Sequence, residues 1–128
     1  MMRWTAKSVL RLHQMMAAAT GGDVGVRDMA LLESAIESAY VTFDGTELYP
    51  TREEKAARLA FALVKNHAFV DGNKRIGIFV MLCFLELSGV QLQADNREVA
   101  ALGWAVADGT AGYNALLAWI RAHTRKSK

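Results

Sequence analysis

Hydrophobic positions along this chain recur mostly three and four residues apart, the spacing of helices with one buried face. Val9, Leu10, Leu12 and Met16 follow Thr5, whose side chain can cap a helix start, and Gly21-Gly22 ends the run. A second helix begins near Asp28 and puts Leu31, Leu32, Ala35 and Ile36 on one face. Between Tyr40 and Pro50 the period changes. Tyr-Val-Thr-Phe favours a strand and Asp44-Gly45 favours a tight turn, which predicts a small hairpin or flap. Thr51 and Glu54 then form a capping box ahead of Ala57, Ala60, Phe61 and Val64, predicting a helix to about Asn66.

Residues 67–72 read as a loop, and a nearly all-apolar helix runs from Asn73 or Lys74 to Ser88, with Gly89 placed to end it. A helix apolar all round belongs in the middle of a bundle. Val90, Leu92 and Ala94 alternate with Gln91 and Gln93, which predicts a short strand with the flap near residue 43 as its partner. Asp95 and Glu98 open a helix to about Ala107, and a last helix spans about Gly112 to His123. The expected fold is an all-α bundle of about six helices with a small β-flap, forming one domain over residues 1–128.

Composition agrees with a single core-forming domain: 128 residues, 52% hydrophobic and 22% charged. One cysteine, Cys83, excludes a disulfide scaffold, and its place in the apolar helix marks it as inert core. The formal charge of +2 is misleading. Arg121, Arg125, Lys126 and Lys128 form a basic tail over residues 121–128, while residues 1–120 carry 11 basic and 13 acidic side chains, a net of −2. That distribution gives no support to a surface for direct nucleic-acid binding. The longest apolar run, Ile76 to Leu87, contains Glu86 and falls short of the ~20 residues a membrane span needs. The N-terminal stretch is interrupted by Arg11, His13 and Gln14, so no export signal is read and a cytoplasmic location is expected.

Polar, charged and glycine residues concentrate in one stretch, His67-Ala68-Phe69-Val70-Asp71-Gly72-Asn73-Lys74-Arg75, between the two best-defined helices. A glycine turn that opens a helix aims free N–H groups at an anion, and the helix dipole adds attraction. Lys74 and Arg75 stand at the same helix start, where the dipole repels cations by about 0.3–1 kcal/mol. Residues placed against their own stability point to a phosphate-binding task. His67 can take a proton from a hydroxyl, and Asp71 is the kind of hard carboxylate that holds Mg²⁺ beside phosphates. These parts suit phosphoryl or nucleotidyl transfer. The same residues also fit an ordinary His-to-Asp loop bond and a solvated edge. Phe69 reads as a core anchor, and His13 and His123 as surface or half-buried positions without chemistry.

The nine residues from His67 to Arg75 closely resemble the signature of the Fic/Doc superfamily, in the form found in Doc toxins of bacterial toxin–antitoxin modules. Gly21-Gly22, Gly25-Val26-Arg27-Asp28, Leu31-Leu32-Glu33-Ser34-Ala35 and Leu48-Tyr49-Pro50 extend the resemblance over about residues 5–95. It implies a Fic fold and a catalytic set of His67, Lys74 and Arg75, with His67 as general base toward a Ser or Thr hydroxyl. It implies Asp71 as the Mg²⁺ ligand, Gly72, Asn73, Lys74 and Arg75 as the phosphate cradle, and the flap from Thr42 to Leu48 alongside the target segment.

Fic enzymes that transfer AMP carry glycine where this chain has Lys74 and a second arginine where it has Ile78. In Doc-type proteins that difference accompanies a reversed nucleotide, so the resemblance implies a kinase-like toxin of a type II module that uses ATP. Elongation factor Tu is the implied target and growth arrest the result. AMP transfer to a protein hydroxyl and a catalytically silent interaction module are the alternatives. No glutamate here is followed by glycine or asparagine, so the self-inhibitory pattern of many Fic enzymes is missing and a Phd-type antitoxin is implied as the inhibitor.

Overall fold

The computed structural model describes residues 3–125 and has six helices and one hairpin. Helix α1 spans Ala6–Thr20 and α2 spans Met29–Glu37. The strands β1 (Thr42–Phe43) and β2 (Thr46–Glu47) precede α3 (Arg52–Asn66), α4 (Asn73–Leu87), α5 (Asn96–Ala107) and α6 (Tyr113–His123). Local chemistry sets most of these boundaries. Thr5, Asp28, Thr51 and Asp95 each accept a hydrogen bond from a first-turn backbone N–H, and α1, α3 and α5 have complete capping boxes. The turn between the strands places Asp44 and Gly45 at φ 52° and 80°, the left-handed pair a tight hairpin with right-handed strand twist requires.

The hub of the bundle is α3 rather than α4. Helix α3 packs against α2, α4, α5 and α6, whereas α4 packs on α1, α3 and α5 and leaves Phe79 and Leu87 exposed. Side-chain size is the reason. Ala56, Ala57, Ala60 and Ala62 line α3 and are buried, so neighbouring helices can approach its axis from several sides. Against it, α4 contributes Gly77, where an added Cβ would lie 2.6 Å from Val64 Cγ2 and 3.0 Å from the Ala60 carbonyl oxygen.

Helix α3 also buries a charge, on its side toward the hairpin. Lys55 is 2% exposed, and its ammonium donates to the Glu47 carboxylate at 2.9 Å and to the Tyr49 carbonyl. The pair fastens the foot of the hairpin to α3.

The expected partnership between residues 90–94 and the flap does not form. Leu92 instead faces Thr124 in an isolated bridge, with the Gln93 N–H donating to the His123 carbonyl and the Arg125 N–H to the Gln91 carbonyl, each at 2.7 Å. The alternation predicts a short strand, but the segment makes only this single bridge; its inward-facing Val90 is 5% exposed. The partner is the extended chain leaving α6, which lies in reach, while β1 and β2 are paired with each other. Of the basic tail, Arg121 and Arg125 are thus placed, and Lys126 and Lys128 lie outside the described residues.

The same end of α6 holds a pH-dependent contact. His123 donates to the Trp119 carbonyl and bonds the Glu98 carboxylate, each at 2.8 Å. The carbonyl, with help from Glu98, raises the histidine above its usual range despite some desolvation. A raised folded value means the contribution is complete below the unfolded value of about 6.5 and is lost as pH climbs through the folded one. Melting of wild type and Glu98→Gln, which can still cap Asp95, should therefore differ most near pH 5.5–6 and converge in mild alkali. A gap that widened with pH would contradict the assignment.

Candidate active site

The stretch from His67 to Gly72 has little regular structure and is held by residues from far away in sequence. His67 closes α3 in the left-handed region at φ 50°, which turns the chain sharply out of the helix. Ala68 and Phe69 then enter the core. The segment Gly25–Asp28 acts as a clamp. Arg27 and Asp28 donate backbone N–H groups to the Ala68 carbonyl at 2.8 and 3.0 Å, Val70 donates to Gly25 at 3.1 Å, and Val26 bridges Phe69. The Arg27 guanidinium adds a bond to the His67 carbonyl at 2.7 Å.

Asn73 closes the loop from the other side. Its side chain accepts from the Phe69 N–H at 3.0 Å and donates to the Phe69 carbonyl at 2.9 Å. The amide is buried and committed to the loop, so the contribution of Asn73 to an anion cradle would come from its backbone. Gly72 caps α4 at φ 81° and supplies no side chain, so the first turn of α4 has no side-chain cap. Those N–H groups and the positive end of α4 make a natural anion seat.

His67, Asp71, Gly72, Asn73, Lys74 and Arg75 line one cavity of about 470 Å³, together with His13, Met16 and Gly22. The structure thus brings every sequence-derived site residue to a single place. His67, Asp71 and Arg75 are exposed there, and Lys74 is half-buried. Gly22 lies so close to Asp71 that an added Cβ would sit 2.9 Å from Oδ2. A glycine at that position leaves the carboxylate open, which fits a Mg²⁺ site. Among the described residues no cluster of three or more His, Cys, Asp or Glu could hold a metal ion by itself. A single carboxylate with phosphates and water completing the shell is a common Mg²⁺ arrangement.

Two placements bear on the cations. The Lys74 ammonium lies 3.2 Å from the centroid of the Trp104 ring on α5, a cation–π contact that offsets its poor position at the start of α4. Ile78, standing where AMP-transferring enzymes have a second arginine, is 4% exposed.

One residue of the site was not foreseen. His13, on α1, is 1% exposed rather than on the surface or half-buried. Its ring stacks on Phe69 at a centroid distance of 3.8 Å, and Nε2 donates to the Asp71 carbonyl at 2.8 Å. Since a carbonyl only accepts, the proton belongs on Nε2, and Nδ1 is buried without a partner. The partners lie 58 residues apart, and no local spacing signals that. His13→Phe should keep the stack but free the Asp71 carbonyl, lowering stability in denaturant by about 1–2 kcal/mol. Unchanged unfolding would show that the bond does not hold the loop. His123, by contrast, is half-buried at the end of α6, as expected. Cys83 is half-buried, and burial followed by the charge of Glu86 pushes its thiol up, as suits an inert position.

A helical bundle with an exposed histidine ahead of a glycine-opened helix, its aspartate and two cations around one cavity, is the arrangement of the Fic/DOC family. The family profile matches residues 3–85, and the chain belongs to that family. It is also similar to the protein named Toxin Doc of Mycolicibacterium smegmatis, 46% identical over 77 residues. That similarity covers 60% of this chain and 59% of the relative, so the chain matches about three fifths of the relative's length. Among the described residues no helix is long and apolar enough to cross a membrane.

Proposed function

We propose that this chain is the toxin of a type II toxin–antitoxin module, a phosphotransferase that moves the γ-phosphoryl group of ATP to a Ser or Thr hydroxyl of a translation factor. The reading is carried by one observation: His67, Asp71, the uncapped start of α4, Lys74 and Arg75 converge on a single cavity. Elongation factor Tu is the target by family resemblance, a Phd-type antitoxin is the partner, and the cytoplasm is the place where both would be met.

In this reading the His67 imidazole accepts the hydroxyl proton as the new O–P bond forms and the bond between the γ-phosphorus and the bridging oxygen breaks, releasing ADP. The α4 amides and Arg75 hold the phosphate oxygens in line with the hydroxyl. Asp71 holds Mg²⁺, which when bound neutralises phosphate charge. Lys74 supplies a further cation once it leaves the Trp104 face. The bulk of Lys74 and the apolar Ile78 favour this outcome over AMP transfer, since they remove the small residue and the second arginine that AMP transfer uses by family resemblance.

The test is incubation with elongation factor Tu and ATP labelled at either the γ or the α phosphorus. Label arriving from γ alone is expected. Label from α alone would replace the kinase by an AMP transferase, and label from neither would leave an interaction module.

A further inference from the structure

A second recess, of about 490 Å³, opens between α4 and α5 and shares Lys74 and Arg75 with the site cavity. Its walls differ in character from the cradle. Trp104 is 64% exposed and Phe79 is 39% exposed, unusual for two large aromatic side chains on adjacent packed helices. Ile78 and Gly103 form apolar wall, and Asn96, in the first turn of α5, sets a polar amide at the edge. Gly103 also clears the path of the lysine stem, since an added Cβ would be 3.3 Å from Lys74 Cγ. Lys74 therefore runs from the start of α4 along α5, and its ammonium rests on the indole.

We propose that this recess seats the purine base of the nucleotide whose phosphates occupy the start of α4, with Trp104 as the stacking platform. The inference rests on the phosphate-handling reading above. Its independent support is the juxtaposition of an exposed aromatic groove with an anion seat through two shared cations. Aromatic faces bind bases by stacking, largely without regard to sequence or identity. A recess of this size lies in the range of small-molecule sites, mostly apolar with a few polar groups. Lys74 couples the two halves. Phosphate drawing the ammonium off the indole uncovers the ring face that the base then takes, so phosphate and base are bound together better than either alone.

Calorimetric titration of the full chain with MgATP and with Mg²⁺-loaded inorganic tripolyphosphate tests this. Wild type should bind ATP at least ten-fold more tightly than tripolyphosphate, and ATP should quench tryptophan fluorescence where tripolyphosphate does not. Trp104→Ala should weaken ATP by roughly ten- to a hundred-fold, with tripolyphosphate unchanged or slightly tighter because Lys74 is released. Trp104→Phe should retain most of the affinity, and Phe79→Ala should weaken ATP by a smaller factor. Equal loss for both ligands, or ATP binding untouched by Trp104→Ala, would overturn the base site while leaving the phosphate cradle standing. The second of those results would mark the aromatic groove as a protein-docking face. Failure of both ligands to bind wild type would overturn the cradle and the base site together.

Discussion

Replacing His67 by asparagine is expected to slow phosphoryl transfer by roughly 10²–10⁴-fold, the usual contribution of a positioned general base, without unfolding the chain. The choice of asparagine follows from the backbone. His67 sits at φ 50°, a region that asparagine tolerates better than alanine does. The fold depends on the His67 main chain, whose carbonyl is held by Arg27, and the exposed imidazole is free to be lost. Transfer of γ-label to elongation factor Tu, measured beside a thermal melt, separates the two contributions. Near-wild-type transfer by a folded His67→Asn protein would remove His67 from the chemistry.

The largest loss of stability should come from Gly77→Leu. A helix-interior glycine normally costs about 1 kcal/mol relative to alanine, so its presence in α4 needs a cause. The cause is the close approach to α3, where the nearest atoms to an added Cβ are Val64 Cγ2 and the Ala60 carbonyl. The carbonyl belongs to helix backbone and cannot move aside as a flexible side chain would. Gly77→Leu should lower unfolding free energy by about 2–3 kcal/mol, seen as a shifted midpoint in urea. Gly77→Ala should lose less, because helix propensity returns part of the strain. A leucine variant within about 0.5 kcal/mol of wild type, the range of ordinary surface changes, would contradict this packing of α3 on α4.

What could be read from the chain was local. Thr5, Asp28, Thr51 and Asp95 cap their helices as spacing predicts, because a cap is satisfied within three residues of itself. The site was legible for the same reason: His67 to Arg75 are contiguous, and one loop and one helix start bring them together. What was not legible depends on how separate elements pack. Lys55 is buried by the neighbouring hairpin, whose Glu47 lies only 8 residues away, but nothing in the helical pattern shows that the hairpin folds back over it. Leu92 shows that it wants a partner but carries nothing that names Thr124 over Phe43. His13 lies on a helix whose periodicity is right, and only the approach of the loop turns its buried face into part of the site.

A fragment beginning at residue 50 would keep every one of the nine signature residues and still lack the site, because the Ala68 carbonyl, the Val70 N–H and the Asp71 carbonyl all take their partners from the first 28 residues. Closing that circuit means bringing together residues 40 apart at Arg27 and His67 and 58 apart at His13 and Asp71, a step that comes at the cost of loop entropy before any contact repays it. In the full chain residues 13–28 are made before residues 67–75, so the loop meets partners already present and takes its shape only when the two segments pack together.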